Sequence, residues 1–246
     1  MKLPSSENQP ILHAFAPPPM LVAQLTLAAS MALFLAISLV VLLGKTQDFD
    51  QFVLIFLRDA ADLSRPIGPD WVPQLIQTFT TLGNGLTLIA IVLLGVAWFV
   101  FRGDWLSMQS LLLVGVGGFV IDLGLKLGVG RPRPSVVPLL SVVDSWSYPS
   151  GHSMMTLAIF LALAVLIGRH LTRKGLRTTM IIAAVTLSLI VGFSRMYLGV
   201  HYPSDVAAGW TAGLAWISAS WLVERNTILR RRRRSEKKKV AAKKGE

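Results

Sequence analysis

Three short stretches concentrate the side chains able to do chemistry. "KLGVGRPRP" carries Lys126 and Arg133, "PSGH" carries Ser150, Gly151 and His152, and "SRMYLGVHYPSD" carries Arg195, His201 and Asp205. Arg presents a planar fork of donors and Lys a compact charge, a pair of shapes suited to the several oxygens of a phosphate. Ser150 adds a hydroxyl, and Gly151 lets a backbone N–H approach a ligand closely. Both lie where an apolar run begins, so the free N–H groups and dipole of a helix N-terminus favour an anion there. His201 and Asp205 stand four residues apart with Tyr202 and Pro203 forcing a turn between them. A carboxylate so placed can fix the tautomer of a neutral imidazole that attacks phosphorus. His152 can protonate the leaving oxygen. A single His at a helix end is most often a satisfied polar residue; the company of Lys126, Arg133 and Arg195 reverses that balance. The expected site is a phosphate cradle with no metal and no other cofactor.

The elements that must position these residues are membrane helices. Of 246 residues, 53% are hydrophobic and only 15% charged, and the mean hydropathy of +0.59 is too high for an ordinary water-soluble domain. Six apolar runs approach the roughly 20 residues that span a bilayer core: Met20 to Leu43, Gly83 to Phe101, Leu106 to Gly128, Ser153 to Gly168, Thr178 to Phe193 and Asp205 to Val223. The expected fold is therefore all-α, one six-helix membrane domain over 20–223, preceded by a polar, Pro-rich lead over 1–19 and followed by a basic tail over 224–246. The first run is too long for a signal-peptide core and reads as an uncleaved anchor. Without Cys, disulfides and thiolate metal sites are excluded.

Most of the net charge of +11 comes from "RNTILRRRRRSEKKKVAAKK". Directly after a span, such a run is expected to be a disordered, lipid-hugging cytoplasmic tail rather than a nucleic-acid site. "RHLTRKGLR" between the fourth and fifth runs should share that side. Both termini are then cytoplasmic, and Lys126, Arg131, Arg133, His152, Arg195 and Asp205 all fall on the opposite, exoplasmic face of the cell membrane. A cationic cluster gathered from two loops at one surface calls for an anion.

The three stretches, in this order and spacing, resemble the tripartite phosphatase signature of the type 2 phosphatidic acid phosphatase superfamily: Lys126, six residues, Arg133 and Pro134; then Pro149 to His152; then Ser194, Arg195, five residues, His201, three residues and Asp205. "TTLGNG", Thr80 to Gly85, resembles a further family segment. The likeness implies a bacterial integral-membrane lipid phosphatase with His201 as the nucleophile that forms a phosphohistidine, Asp205 its orienting partner and His152 the acid. It further implies that Lys126, Arg133, Ser150, Gly151 and Arg195 hold the phosphate. The substrate class implied is a lipid phosphomonoester or pyrophosphate, with undecaprenyl pyrophosphate or phosphatidylglycerophosphate ahead of phosphatidic acid and lipid A. A phosphotransferase and a non-enzymatic lipid binder or transporter stand as alternatives, and oligomeric state is open.

Other signals are set aside. "GKT", Gly44 to Thr46, lacks the Gly a P-loop needs five residues earlier. "DFD", Asp48 to Asp50, is expected to be a solvated segment. Asp122, four residues before Lys126, is expected to pair with it or to make a polar contact to a neighbouring helix. Gly124, Gly128 and the "VGVGG" run are expected to serve close helix packing. The stretch from Gln47 to Thr81 is too polar to span and should form one or two amphipathic helices along the exoplasmic surface.

Overall fold

A computed structural model of the chain describes residues 20–244, with side chains as far as Leu229; the lead over 1–19 lies outside the described residues. Among the described residues the regular elements are all helices, with one isolated bridge between Arg58 and Pro66 and a long irregular connection over 130–150. Helix α1 covers Met20–Leu42, α2 Gln47–Phe56, α3 Val72–Thr81, α4 Gly85–Phe101, α5 Trp105–Val129, α6 Gly151–Gly168, α7 Lys174–Tyr197 and α8 Pro203–Lys244. Five of these, α1, α5, α6, α7 and the Pro203–Leu229 part of α8, are long and apolar enough to cross a membrane.

The second expected span is built differently. Helix α4 has 17 residues, about 25 Å at the usual rise per residue, and it meets α3 at a bend of 47°. Counted as one broken span, α3 and α4 bring the total to six. Asn84 caps α4 by accepting from the Leu86 N–H at 3.0 Å, which starts a new helix where the chain has just turned.

Helix α6 is the central one, buried along most of its length. It packs against α4, α5 and α8 through Phe99, Leu111, Val114, Ala158, Ile159 and Ile217. Helix α1 lies on the outside, joined to α8 and the α5–α6 connection through Phe34, Val41, Tyr148 and Ala208, with Ser38 and Tyr148 hydroxyls 2.6 Å apart. "VGVGG" behaves as expected: a Cβ on Gly117 or Gly118 would strike Trp216 or Met155. Gly124 and Gly128 do not, since a Cβ there would meet nothing within 4 Å.

Two further expectations are corrected. The basic tail is not an irregular chain: α8 continues past Val223 to Lys244, because the run holds strong helix formers (Leu, Arg, Lys, Glu, Ala) and no Pro, and its first Gly is Gly245. The segment from Gln47 to Thr81 forms two short helices, as expected; the second correction is the burial of Asp50. Phe49, Phe52 and Phe56 are exposed while Asp50 and Leu54 are fully buried. Asp48 is solvated as expected; Asp50 is not.

Candidate active site

The ends of α5, α6, α7 and α8 meet at one end of the bundle. Helix α5 stops at Gly130, whose φ of +61° is a left-handed termination that Gly adopts without a Cβ penalty. Pro132 and Pro134 then hold the chain extended, with Arg131 and Arg133 between them. A second turn, at Gly199 with φ +73°, carries the chain from the last turn of α7 to His201. The His201 N–H donates back to the Arg195 carbonyl at 3.3 Å, so the third motif folds onto itself.

His201 is 2% exposed and Asp205 fully buried. The guanidinium of Arg133 lies 3.0 Å from His201 Nε2. Since arginine can only donate, Nε2 accepts, its lone pair faces the arginine, and the ring proton sits on Nδ1. That nitrogen points towards Asp205 Oδ2 at 3.6 Å, with the Ser147 hydroxyl 3.4 Å from it. Ser147 donates to the same carboxylate oxygen at 2.5 Å, and the Tyr202 N–H adds a bond at 2.9 Å. Burial is the main force on His201 and lowers its pKa to about 3, with Arg133 and Arg195 adding to the effect and Asp205 opposing it. The ring is therefore neutral, the form that can attack.

The expected phosphate-holding residues surround it. Lys126 Nζ donates to Asp122 at 2.9 Å and to the Pro149 carbonyl at 2.5 Å, which leaves its third proton for a ligand. The pairing expected of Asp122 is thus present. Arg195 donates to Thr80 Oγ1 at 2.8 Å, while its Nε is buried without a partner. Arg133 is fixed by the carbonyls of Ser145 and Val200. Ser150 is the N-cap of α6: its hydroxyl oxygen accepts from the Ser153 N–H and hydroxyl, and its own N–H is spent on the Asp205 carbonyl. The free donors are the N–H groups of Gly151 and His152 in the first turn. Gly151 has a second steric reason to lack a side chain, since a Cβ would come within 2.8 Å of an Asp122 oxygen. The ring of His152 makes no hydrogen bond among the described residues, and it lies near enough to feel the charges of Arg195, His201, Lys126 and Arg133.

All eight expected residues are therefore gathered in one place. Asp50, Thr80, Ser147 and Ser204 adjoin the site without having been expected there, and Arg131, expected in the cationic cluster at this face, is spent on Asp50, Ser204 and Asp205. Arg131 stands two residues before Arg133 in the same Pro-containing stretch. Thr80 lies in the "TTLGNG" stretch. Ser147 and Ser204 carry no distinguishing pattern of their own.

A family model described as the PAP2 superfamily matches residues 106–228, which covers all three motifs. Phosphatidylglycerophosphatase B of Bacillus subtilis is 35% identical over 147 residues, covering 58% of this chain and 71% of that protein. Lipid A 1-phosphatase of Rhizobium johnstonii is 35% identical, covering 47% of this chain and 46% of that one, so the chain spans about half the length of that relative. Among solved structures, a transmembrane PAP2-type phosphatidylglycerolphosphate phosphatase from Bacillus subtilis superposes with a TM-score of 0.72 at 24% identity, covering 82% of this chain and 96% of that one. At that identity the superposition speaks to the fold, a helical membrane bundle.

Proposed function

Since the chain belongs to the PAP2 superfamily, we propose that it is a multi-pass membrane phosphatase acting on the phosphate of a lipid through a phosphohistidine on His201. The observation that carries this reading is the accepting Nε2 of His201 held against Arg133 at 3.0 Å, with Asp205 on the far side of the ring and Lys126, Arg195 and the α6 N-terminus around it. When a phosphate enters, it takes over the donors of Arg133 and frees the Nε2 lone pair to attack phosphorus. The P–O bond to the lipid breaks, and His152 gives its proton to the departing oxygen. Asp205 steadies the proton on Nδ1 as the ring becomes positive. Water then attacks the P–N bond, giving its proton to His152, and inorganic phosphate leaves. Both steps put charge on equatorial oxygens that Lys126, Arg133, Arg195 and the N–H groups of Gly151 and His152 would hold.

The proposed substrate is phosphatidylglycerophosphate, in line with the name of the Bacillus relative, with undecaprenyl pyrophosphate next. The site opens at the exoplasmic face and both termini lie in the cytoplasm, by the distribution of basic residues. A transporter is disfavoured because Asp122, the one midspan acid it would use, is already spent on Lys126. The test is phosphate release from a panel of lipid phosphates and pyrophosphates by detergent-purified protein in EDTA, with His201→Ala alongside. Turnover by the wild type alone supports the reading and ranks the lipids; no turnover of any lipid, or loss of activity in EDTA restored by magnesium, overturns it.

A further inference from the structure

Asp50 belongs to α2, outside the stretch that the family model matches, yet it is fully buried. Its Oδ1 accepts from the Ser204 N–H at 3.0 Å, and its Oδ2 accepts from the Ser204 hydroxyl at 2.5 Å and from Arg131 Nη2 at 2.8 Å. The other terminal nitrogen of Arg131, Nη1, donates to Asp205 Oδ1 at 2.6 Å and to Ser204 Oγ at 2.8 Å. One guanidinium therefore bridges two buried carboxylates, stacked 4.1 Å from the Tyr202 ring. Burial of a lone carboxylate is costly unless it is paired and hydrogen-bonded; here every partner of Asp50 leads to the first turn of α8.

We propose that Asp50 is a positioning residue for the phosphatase reaction, acting on Asp205 and hence His201 through Arg131; the inference rests on the proposed reaction. Asp50 does two things. It aims Arg131 so that its second nitrogen meets the Asp205 oxygen turned away from His201. It also offsets the positive charge of Arg131, so that Asp205 keeps the negative charge that must stabilise the imidazolium as phosphorus is attacked. Without Asp50, Arg131 draws on Asp205 alone and the support for His201 weakens. Neither residue contacts Lys126, Arg133 or Arg195, so phosphate binding does not depend on them.

The experiment compares full-length wild type, Asp50→Asn, Arg131→Gln and the double variant on the best lipid of the panel. Sites are counted and their affinity measured with inorganic phosphate by calorimetry. Asp50→Asn is expected to lower kcat per phosphate-binding site about 10- to 100-fold, the range of one hydrogen bond to a charged group, with phosphate affinity and KM unchanged. The double variant is expected to be no slower than the slower single one, since both act along one path. Ser204→Ala keeps every charge and gives the same pattern at smaller amplitude, which keeps the test open if Asp50→Asn does not fold. An unchanged kcat per site, a loss of phosphate affinity in step with kcat, or multiplicative losses would each overturn the proposal. A wild type without turnover instead overturns the reaction it rests on.

Discussion

The backbone N–H of Ser150 donates to the carbonyl of Asp205 at 3.0 Å, joining the first turn of the helix that carries His152 to the first turn of the helix that carries Asp205. The two helices can meet so closely because α8 presents glycines. A Cβ on Gly209 would come within 2.5 Å of the Ser150 carbonyl oxygen, and one on Gly213 within 2.5 Å of the Met154 carbonyl oxygen. These are backbone atoms, unable to swing aside.

Gly209→Ala therefore pushes α8 off α6 at the level of the site. Overpacking of this kind costs about 1–3 kcal/mol, and the displacement falls on the Ser150–Asp205 contact. A lowered melting temperature together with a fall in kcat of at least tenfold is the expected outcome, measured against an alanine placed at exposed Gly124. Wild-type activity in Gly209→Ala would show that this contact does not set the geometry.

Gly83 touches the proposed acid. A Cβ there would lie 2.7 Å from His152 Cδ2 and 2.8 Å from Val191, so Gly83→Ala must turn the imidazole. The groups proposed to hold phosphate are not among the atoms such a Cβ would meet, and steady-state kinetics should show a reduced kcat with little change in KM. A substrate with a good leaving group, which needs no acid, should recover most of the loss; failure to recover it would mean that the turn does not act through His152.

Lys126 and Asp122 form a buried pair at 2.9 Å. Removing one partner of such a pair costs about 3–5 kcal/mol, whereas replacing both by apolar residues is often neutral. Asp122→Leu alone should lower the melting temperature sharply. Asp122→Leu with Lys126→Met should melt near wild type while phosphate affinity stays lost, because the lysine's third proton is gone. A double variant that binds phosphate as the wild type does would remove Lys126 from the site.

His201 should resist protonation. With its pKa lowered to about 3 by burial, against roughly 6.5 for a free histidine, the folded protein binds fewer protons than the unfolded chain between those two values. The stability this residue confers is present above pH 6.5 and is lost as pH falls towards 3. NMR of ring-labelled histidine in detergent should show the His201 ring still neutral at pH 5, and a midpoint near 6.5 contradicts the buried geometry.

How much of this could be read from the chain follows from what each feature depends on. Lys126, His152, Arg195 and Asp205 announce themselves because a polar residue at the end of an apolar run needs a reason, and their common end follows from antiparallel helices. Asp50 gives no such sign: a second acid in "DFD" looks like a solvated loop until α2 turns its phenylalanines outward and its carboxylate inward. Thr80 and Ser147 matter only through contacts made by distant segments. The bend between α3 and α4 was hidden for a related reason, since hydropathy marks where a chain is apolar but not where its axis breaks.

The central claim is that phosphate passes through His201 before it reaches water. Two in-line displacements retain configuration at phosphorus and one inverts it, so the most direct measurement is the stereochemistry of hydrolysis of a lipid thiophosphate made chiral with oxygen isotopes. The account predicts retention, with no turnover in His201→Ala. Inversion would mean that water attacks the lipid phosphate directly, and the phosphohistidine would have to be abandoned.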